Sequence, residues 1–292
     1  MLGNNLKVHF AGAEQIDCCM VANKAGVKYF LYSCFPFISA QFGIKAFPIT
    51  VKNLFPPREI EKISHHCIMD SGLFTLMFGA HAGKRDKPFL ERYQQALVDF
   101  VLANNINATC VEVDCQKVLG CDEAWYFRKQ LRDSLPNRII NVFHWEDGPK
   151  GLDRLIEFSD YIAISVPELR ILKPTKYKED TYRLACYIKN KKPSIDIHLL
   201  GCTEVNMLNK CAFCTTSDST TWKSVNRYGR LFGNATSQIY AHMKERCHSG
   251  VAEVLDRCAI SPSQKRIDYY ANYLISAYLH KQEYVNYVGN QD

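Results

Sequence analysis

Carboxylates stand at the ends of three short apolar runs that are typical of buried strands. Asp70 closes the third run of the chain, Asp114 the fourth and Asp218 the eighth. A buried charge without a partner is costly, so packing alone seldom places three carboxylates in such positions. Paired carboxyl groups carry out glycosyl transfer, in which one attacks the sugar carbon and the other handles the proton.

Other polar residues occupy comparable places in the sequence. Ser71 and Gly72 follow Asp70 directly, His144 closes the fifth run, and Ser165 closes the sixth. Glu112 lies two positions before Asp114, and residues two apart on a strand share a face. Any one of these residues taken alone is explained by a strand-end cap or a surface ion pair as simply as by a functional site. Their accumulation at successive strand ends predicts one shared pocket.

The elements that would position these groups alternate along the chain. Eight strand-like runs are each followed by a helical pattern or a short turn, and several are apolar throughout, as strands buried on both faces are. This alternation predicts an α/β fold, a (β/α)₈ or TIM barrel, whose active site lies at the carboxyl ends of the strands. An open doubly wound sheet is the alternative. The predicted strands are Val8–Ala11, Tyr29–Ser33, Cys67–Asp70, Thr109–Asp114, Ile139–His144, Tyr161–Ser165, Ile197–Gly201 and Phe213–Asp218.

The chain contains no repeat and no Gly/Ser-rich linker that would divide it. We therefore predict one domain over residues 1–292, with the barrel over about 7–232 and extra C-terminal helices over about 233–292. Helical patterns cover Ala235–Glu245 and Ser263–Lys281 in that extension.

Composition narrows the class of protein. Hydrophobic residues make up 47% and charged residues 23% of the chain, as in ordinary globular domains. The net charge of +6 suits an enzyme that contacts phosphates on one face, although many soluble enzymes are slightly basic. The longest uncharged stretch, Tyr29–Ile44, is too short to span a bilayer. With thirteen cysteines in no regular framework, we expect a cytoplasmic protein with reduced thiols and no membrane partner.

Two motifs resemble one enzyme family. Residues 69–74, Met-Asp-Ser-Gly-Leu-Phe, resemble the Asp-Ser-Gly-Gly-Phe signature of tRNA-guanine transglycosylases. Residues 217–222, Ser-Asp-Ser-Thr-Thr-Trp, are more similar to a branch of that superfamily, the 7-deazaguanine DNA transglycosylases of phages and bacteria. The order of the strand-end segments also matches, and the resemblance spans roughly Val8 to Arg230.

The resemblance implies a pentosyltransferase that modifies DNA by exchanging a base. Asp218 would attack the sugar C1′ and displace guanine, and Asp70 would carry the proton between the departing and the incoming base. Asp114 or Glu112 would read the Watson–Crick edge of guanine, and His144 stands where the family often has a base-contacting glutamine. The implied partners are DNA and a free 7-deazapurine of the preQ0 type, a queuosine-related base, in the cytoplasm or, for a phage protein, in the host cytoplasm. Ser71, Gly72 and Ser165 complete the implied base-binding set.

The chain departs from the family in two places. Zinc-binding relatives carry a Cys-x-Cys-x-x-Cys motif and a later His, which this chain lacks after Asp218. Zinc needs four ligands in a tetrahedral array, and we interpret Cys202, Cys211 and Cys214 as buried thiols, so we expect no metal and no other cofactor. Ser165 stands where the family often has Gly-Gly, which leaves the identity of the incoming base open.

Three basic residues follow the predicted nucleophile. Lys223, Arg227 and Arg230 are spaced by four and three residues, which predicts a helix face that contacts phosphates or simply faces solvent. The aromatic residues nearest the motifs would either stack on an extruded base or belong to the core. These aromatic residues are Phe74, Phe78, Trp145 and Trp222.

Three other functions remain open at this point. The same chemistry on tRNA is the nearest alternative, since only the motif at residues 217–222 favours DNA. A nucleic-acid-binding barrel without catalysis is a second, although the joint presence of Asp70, Asp114 and Asp218 argues against it. A hydrolase of small nucleosides or glycosides is the third.

Overall fold

The protein is a closed barrel of eight parallel strands surrounded by helices. The structure, a computed structural model, describes residues 6–46, 51–78, 86–231, 234–235 and 250–284. The strands follow one another around the barrel in chain order, and β8 closes the ring by pairing with β1. The predicted (β/α)₈ fold is thereby confirmed. The strands are β1 Lys7–Ala11, β2 Tyr29–Ser33, β3 His66–Asp70, β4 Thr109–Val111, β5 Ile139–Phe143, β6 Tyr161–Ser165, β7 Asp196–Leu200 and β8 Thr216–Ser219.

Helices cover the outside of the barrel and follow the strands as predicted. Apolar stripes at helical spacing account for the long helices, such as α5, which buries Leu90, Leu97 and Val101. The helices are α1 Ile16–Lys24, α2 Phe35–Ile38, α3 Pro57–Lys62, α4 Leu73–Phe78, α5 Lys87–Ala103, α6 Gln116–Leu119, α7 Cys121–Ser134, α8 Gly148–Phe158, α9 Val166–Leu172, α10 Tyr177–Lys191, α11 Val205–Lys210, α12 Val225–Tyr228, α13 250–257 and α14 Gln264–Glu283.

Short 3₁₀ segments and a two-stranded hairpin complete the secondary structure. The 3₁₀ segments are Ser39–Phe42, Val51–Asn53, Trp145–Asp147 and Thr221–Lys223, and the hairpin pairs β9 Arg230–Leu231 with β10 Asn234–Ala235.

Two strands, β4 and β8, differ from their predicted bounds by three residues at one end, whereas β1, β3, β5 and β7 differ by a single residue at one or both ends. The predicted fourth strand runs to Asp114, but β4 ends at Val111 because the chain turns there, with the Cys115 amide bonded to the Val113 carbonyl at 2.8 Å. The predicted eighth strand starts at Phe213, but β8 starts at Thr216 because residues 211–215 form turns before it. Apolar residues in a tight turn resemble a strand in the sequence, which explains both differences.

The core has two layers, as barrels of this class require. Side chains inside the barrel form one cluster, and a larger cluster fills the space between the strands and the helices. The inner cluster comprises Ile68, Val111, Ile140, Val142, Tyr161 and Ala163. This packed interior separates the two ends of the barrel, so polar groups at the carboxyl ends of the strands form a site of their own.

The parallel register gathers those carboxyl ends at one face, which we call the mouth. Ser33 is level with Asp70 on β2 and β3, and Ser165 is level with Leu200 on β6 and β7. Residues that follow different strands therefore lie near one another at the mouth.

The C-terminal helix α14 packs against α1, α12 and the 3₁₀ segment Thr221–Lys223. Ser263, the first residue of the predicted helix, caps it by accepting a hydrogen bond from the Arg266 amide. Ser276 donates a hydrogen bond to the Trp222 carbonyl at 2.7 Å. The predicted helix at Ala235–Glu245 falls mostly outside the described residues. Among the described helices, none combines the length and the apolar character needed to cross a bilayer.

Candidate active site

Asp218 lies near the end of β8 with its side chain held at the mouth. Its Oδ1 accepts hydrogen bonds from His198 Nε2 at 3.1 Å and from the Gly201 amide at 2.9 Å. A carboxylate can only accept, so His198 carries a proton on Nε2 when Asp218 is ionised. His198 is fully buried in β7, and its Nδ1 lies 2.8 Å from Thr216 Oγ1. Both hydrogen bonds that the described residues donate to Asp218 reach Oδ1, which leaves Oδ2 available to a substrate.

Asp70 ends β3 in a tight local turn. Its Oδ2 accepts a hydrogen bond from the Gly72 amide at 3.1 Å. Gly72 has a φ of +76°, and a Cβ there would lie 2.4 Å from Phe35 Cβ, so only glycine fits. The Asp-Ser-Gly sequence thus fixes the orientation of the aspartate through its own backbone.

Asp70 is the most perturbed acid at the mouth. Its pKa is raised to about 7, chiefly by burial and then by the negative charges of Asp218, Glu14 and Asp114, while the hydrogen bond from the Gly72 amide lowers it. Asp70 therefore exchanges a proton near neutral pH, which is what a proton carrier in catalysis requires. The influence of Asp218 and Asp114 on Asp70 also shows that the three predicted carboxylates share the mouth.

Glu14, just beyond β1, is a site residue that the sequence reasoning missed. Its Oε2 accepts a hydrogen bond from the Ser33 amide at 3.2 Å. Burial raises its pKa, and the nearby ammonium of Lys223 partly opposes that effect. Glu14 adds a third carboxyl group on the side of Asp70 and Asp218.

Asp114 belongs to a second group of charges at the mouth. Its Oδ1 lies 2.7 Å from His144 Nε2, and the other ring nitrogen of His144 lies 3.0 Å from Glu168 Oε2. Lys117 adds a cation 3.0 Å from Glu168 and 2.8 Å from Glu146. His144 is thus clamped between two carboxylates, with neither nitrogen left over.

The clamp keeps His144 positively charged. Burial alone would lower its pKa, but the hydrogen bonds to Asp114 and Glu168 outweigh burial and raise the pKa to about 10. We interpret His144 as the group that positions Asp114 rather than as a direct contact to a base. The pKa of Glu168 falls below its usual range because the bonds to His144 and Lys117 outweigh burial.

Glu112 lies away from the mouth, so the expectation that it faces the same way as Asp114 is wrong. Both carboxylate oxygens lie 3.0 Å from Arg128 Nε on α7, and Glu112 also accepts from Asn141 Nδ2 at 2.5 Å and from the Val142 amide at 3.1 Å. The alternation of faces fails here because β4 ends at Val111. Glu112 therefore forms a buried structural ion pair.

The predicted base-binding serines have backbone roles. Ser71 is buried, and its carbonyl accepts a hydrogen bond from the Tyr93 hydroxyl at 2.6 Å. Ser165 caps α9 by accepting a hydrogen bond from the Glu168 amide at 3.4 Å. The cap aligns Glu168 with His144, so Ser165 indirectly supports the cluster of charges around His144.

The three basic residues after Asp218 do not form one helix face, contrary to the prediction. Lys223 ends a 3₁₀ segment, Arg227 lies in α12, and Arg230 begins β9. Lys223 Nζ contacts Gln15 Oε1 at 2.5 Å, so this cation lies inward near Glu14. The side chains of Arg227 and Arg230 are outside the described part of the structure.

The aromatic candidates separate into core and surface. Trp222 is buried and donates its indole N–H to the Ala11 carbonyl at 3.0 Å, so it is a core residue. Trp145 is half-buried beside the mouth with Lys173 Nζ 5.2 Å from its ring centre. Phe74 is 75% exposed on α4, just after the Asp-Ser-Gly turn. The side chain of Phe78 is outside the described part.

The described residues include no group of three or more His, Cys, Asp and Glu side chains arranged to hold a metal ion. Cys202, Cys211 and Cys214 are buried, and Cys202 Sγ lies 3.4 Å from the Met207 sulfur.

Comparisons with known proteins do not assign this chain to a family. No model of a known protein family matches the chain. A search of curated proteins also finds no match. The relation to transglycosylases therefore rests on the two sequence motifs and on what the carboxylates at the mouth can do.

Proposed function

We propose that this protein is a base-exchange transglycosylase that replaces guanine in DNA with a 7-deazaguanine base. The observation that carries the proposal is the proton-exchanging Asp70, with a pKa raised to about 7, in the same charge cluster as the oriented carboxylate of Asp218. One carboxyl group can thus carry a proton while the other attacks, which is the division that glycosyl exchange requires.

In the first half-reaction, Asp218 Oδ2 attacks C1′ of the deoxyribose. An ester bond forms at C1′ as the glycosidic bond breaks, and protonated Asp70 gives its proton to the departing guanine. His198 and the Gly201 amide hold the other oxygen of Asp218 and keep the attacking oxygen in position.

The second half-reaction reverses these steps with a new base. Asp70, now ionised, takes the N9 proton from the incoming 7-deazapurine. The base nitrogen bonds to C1′, the ester breaks, and Asp218 leaves as a carboxylate. Protons and bonds balance over the cycle, and the reaction needs no cofactor because side chains supply both the nucleophile and the proton carrier.

Asp114 is the residue suited to read the base. The guanine edge presents the N1–H and N2–H donors, which a carboxylate accepts. His144 and Glu168 fix the orientation of Asp114 through the 2.7 Å and 3.0 Å contacts described above. Guanine and 7-deazaguanine share this edge, so one carboxylate serves both halves of the exchange.

The choice of DNA over tRNA rests on the resemblance of residues 217–222 to DNA transglycosylases. Action on DNA implies a location in the cytoplasm, or in the host cytoplasm if a phage encodes the protein. The proton-carrying Asp70 favours catalysis over passive binding of nucleic acid.

The proposal is tested by incubating the protein with duplex DNA, tRNA and candidate 7-deazapurines, followed by digestion and mass spectrometry of the nucleosides. We expect a 7-deazaguanine deoxynucleoside from DNA only, and none with Asp218→Asn. Product in tRNA alone would assign the chemistry to RNA. Release of free base or sugar without exchange would instead identify a hydrolase.

A further inference from the structure

We propose that one face of helix α9 is a wedge surface that enters duplex DNA beside the reacting nucleotide. This surface consists of the apolar pair Ile171 and Leu172 with the neighbouring cations Arg170, Lys173 and Lys176. The inference rests on the proposed function, because the partner is the DNA whose base is exchanged.

The apolar pair is unusually exposed. Ile171 is 79% exposed and Leu172 48%, whereas Val166 and Leu169, nearer the start of α9, are buried. A single exposed apolar residue is ordinary, but adjacent exposed apolar side chains rimmed by charged residues are a feature of interaction sites. The helix has thus satisfied its own packing and still presents two large apolar side chains to the outside.

The position of the pair links it to the active site. Helix α9 starts directly after β6, at the mouth, and Glu168 on this helix contacts His144. Ile171 and Leu172 are three and four residues after Glu168, a spacing that places side chains on the same face of a helix. The apolar pair therefore continues the face that lines the site, one turn further out.

The charges around the pair match a polyanion. Arg170, Lys173 and Lys176 form no ion pair with any residue in the described ranges, whereas nearby Lys178 pairs with Glu204 at 2.9 Å. Arg170 and Lys176 are exposed, and Lys173 lies over the ring of Trp145. Unpaired cations around an apolar tip fit the phosphates on either side of an opened base step.

Such a surface would stabilise the duplex while the reacting nucleotide is extruded. An enzyme that acts on a base in a duplex has to extrude the nucleotide, and breaking its stacking costs free energy. DNA-bending proteins offset that cost by inserting apolar side chains such as Ile and Leu between base pairs. Ile171 and Leu172 would fill the gap, while the three cations hold the backbone.

The first test compares Ile171→Ala/Leu172→Ala with a matched control, Leu102→Ala. Leu102 is as exposed as Leu172, at 48%, and lies near the C-terminal end of α5. Affinity for a fluorescein-labelled duplex and for one of its single strands is measured by anisotropy. Because only the duplex has a gap to fill, the double variant should lose about tenfold on the duplex and less than threefold on the single strand. Equal losses on both, or a duplex loss no greater than the control's, would overturn the wedge.

The second test uses the cations. Lys173→Gln/Lys176→Gln should reduce the dependence of log affinity for the duplex on log salt by about two, because each phosphate contact contributes about one. An unchanged salt dependence would reject these lysines as phosphate contacts. If the double alanine variant keeps its duplex affinity but loses binding to phosphatidylglycerol vesicles, the surface meets a membrane and the proposal fails.

Base exchange by the wild-type protein separates the two proposals. If wild type modifies duplex DNA and the double alanine variant does so with the same kcat/KM, the wedge is wrong and the proposed function stands. If wild type modifies tRNA alone, or binds no DNA, both proposals fail together.

Discussion

The mouth of the barrel holds two clusters of carboxylates, and the two clusters differ in the cations that lie beside them. On one side, Asp70, Asp218 and Glu14 lie near one another, and the cation described beside them is Lys223. We call this the reactive group. On the other side, Asp114, Glu168 and Glu146 alternate with His144 and Lys117 in a chain of contacts between 2.7 and 3.0 Å, which we call the paired group.

The difference shows how identical side chains acquire different chemistry. Where carboxylates crowd together in a buried site, one of them holds a proton near neutral pH. Where each carboxylate has a cation, the charges stay fixed and the geometry is rigid. We infer that the reactive group transfers protons and forms bonds, and that the paired group recognises the base. Five predictions on four variants test this contrast, and the variants are ordered from the largest expected effect on the reaction to the smallest.

Removing the nucleophile should have the largest effect. Asp218→Asn should lower base exchange by more than about 10⁴-fold, because an amide does not attack C1′. Mixing protein with substrate DNA, denaturing and searching for a protein–DNA adduct by gel or mass spectrometry checks this. Wild type should give an adduct and Asp218→Asn none, with DNA affinity unchanged. An adduct of normal yield in the variant would exclude Asp218 as the nucleophile.

Removing the proton carrier should be less severe. Asp70→Asn should slow exchange by about 10²–10⁴-fold and still form a weak adduct. In wild type, adduct formation should fall above pH about 7, where Asp70 has lost its proton, and adduct resolution by incoming base should fall below it. Single-turnover rates from pH 5 to 9 measure both limbs. If both limbs persist unchanged in Asp70→Asn, another group carries the proton.

The same variant should differ in stability in a pH-dependent way. The pKa of Asp70 is higher in the folded protein than in the unfolded chain, so ionisation costs stability as pH rises from about 4 to about 7. Asp70→Asn avoids this cost and should be more stable than wild type at pH 8, by at most about 4 kcal/mol, and nearly equal to it at pH 4. Urea unfolding at the two pH values provides the comparison.

The paired group predicts a binding defect. His144→Gln should raise the KM for the free base by about 10- to 100-fold with a smaller change in kcat, because Asp114 loses a charge-assisted hydrogen bond. Lys117→Gln is the matched control: it contacts Glu168 but not Asp114, and should have the milder effect. A kcat defect without a KM change in His144→Gln would move His144 into the reactive group.

Glu112→Gln should have the smallest effect on the reaction. It leaves Arg128 as a buried charge with a weaker partner and should destabilise the fold by about 3–5 kcal/mol, while kcat per folded molecule stays near wild type. Glu112→Gln/Arg128→Met should recover part of that stability. A large loss of kcat in stably folded Glu112→Gln would return this residue to the site.

The barrel could be predicted because its signals are local. Strands β2 and β6 have their predicted bounds, since each is an apolar run that ends in a serine and is followed within three residues by a proline. The orientation of Asp70 was also contained in a short motif, because Gly72 and Asp70 are two residues apart. Local sequence patterns record such features reliably.

The rest of the site depends on contacts between distant residues. The pairing of Glu112 with Arg128 joins a strand end to a helix, and no spacing in the sequence indicates it. Glu14 lies beyond the end of β1, where no strand pattern draws attention to it. His198 had a usable signal: it is the one polar side chain between Ile197 and Leu200 in a buried strand, two residues before the strand end.

The backbone at Gly201 leaves evolution little room for any other residue. Gly201 has a φ of +64°, and a Cβ there would lie 2.7 Å from Pro167 Cγ at the start of α9, while its amide bonds to Asp218. Any replacement would clash with Pro167 at the start of α9 and would also displace the amide that donates to Asp218. Position 201 should therefore tolerate almost no drift, and mutational scanning should find it as intolerant as Asp218, to which its amide donates.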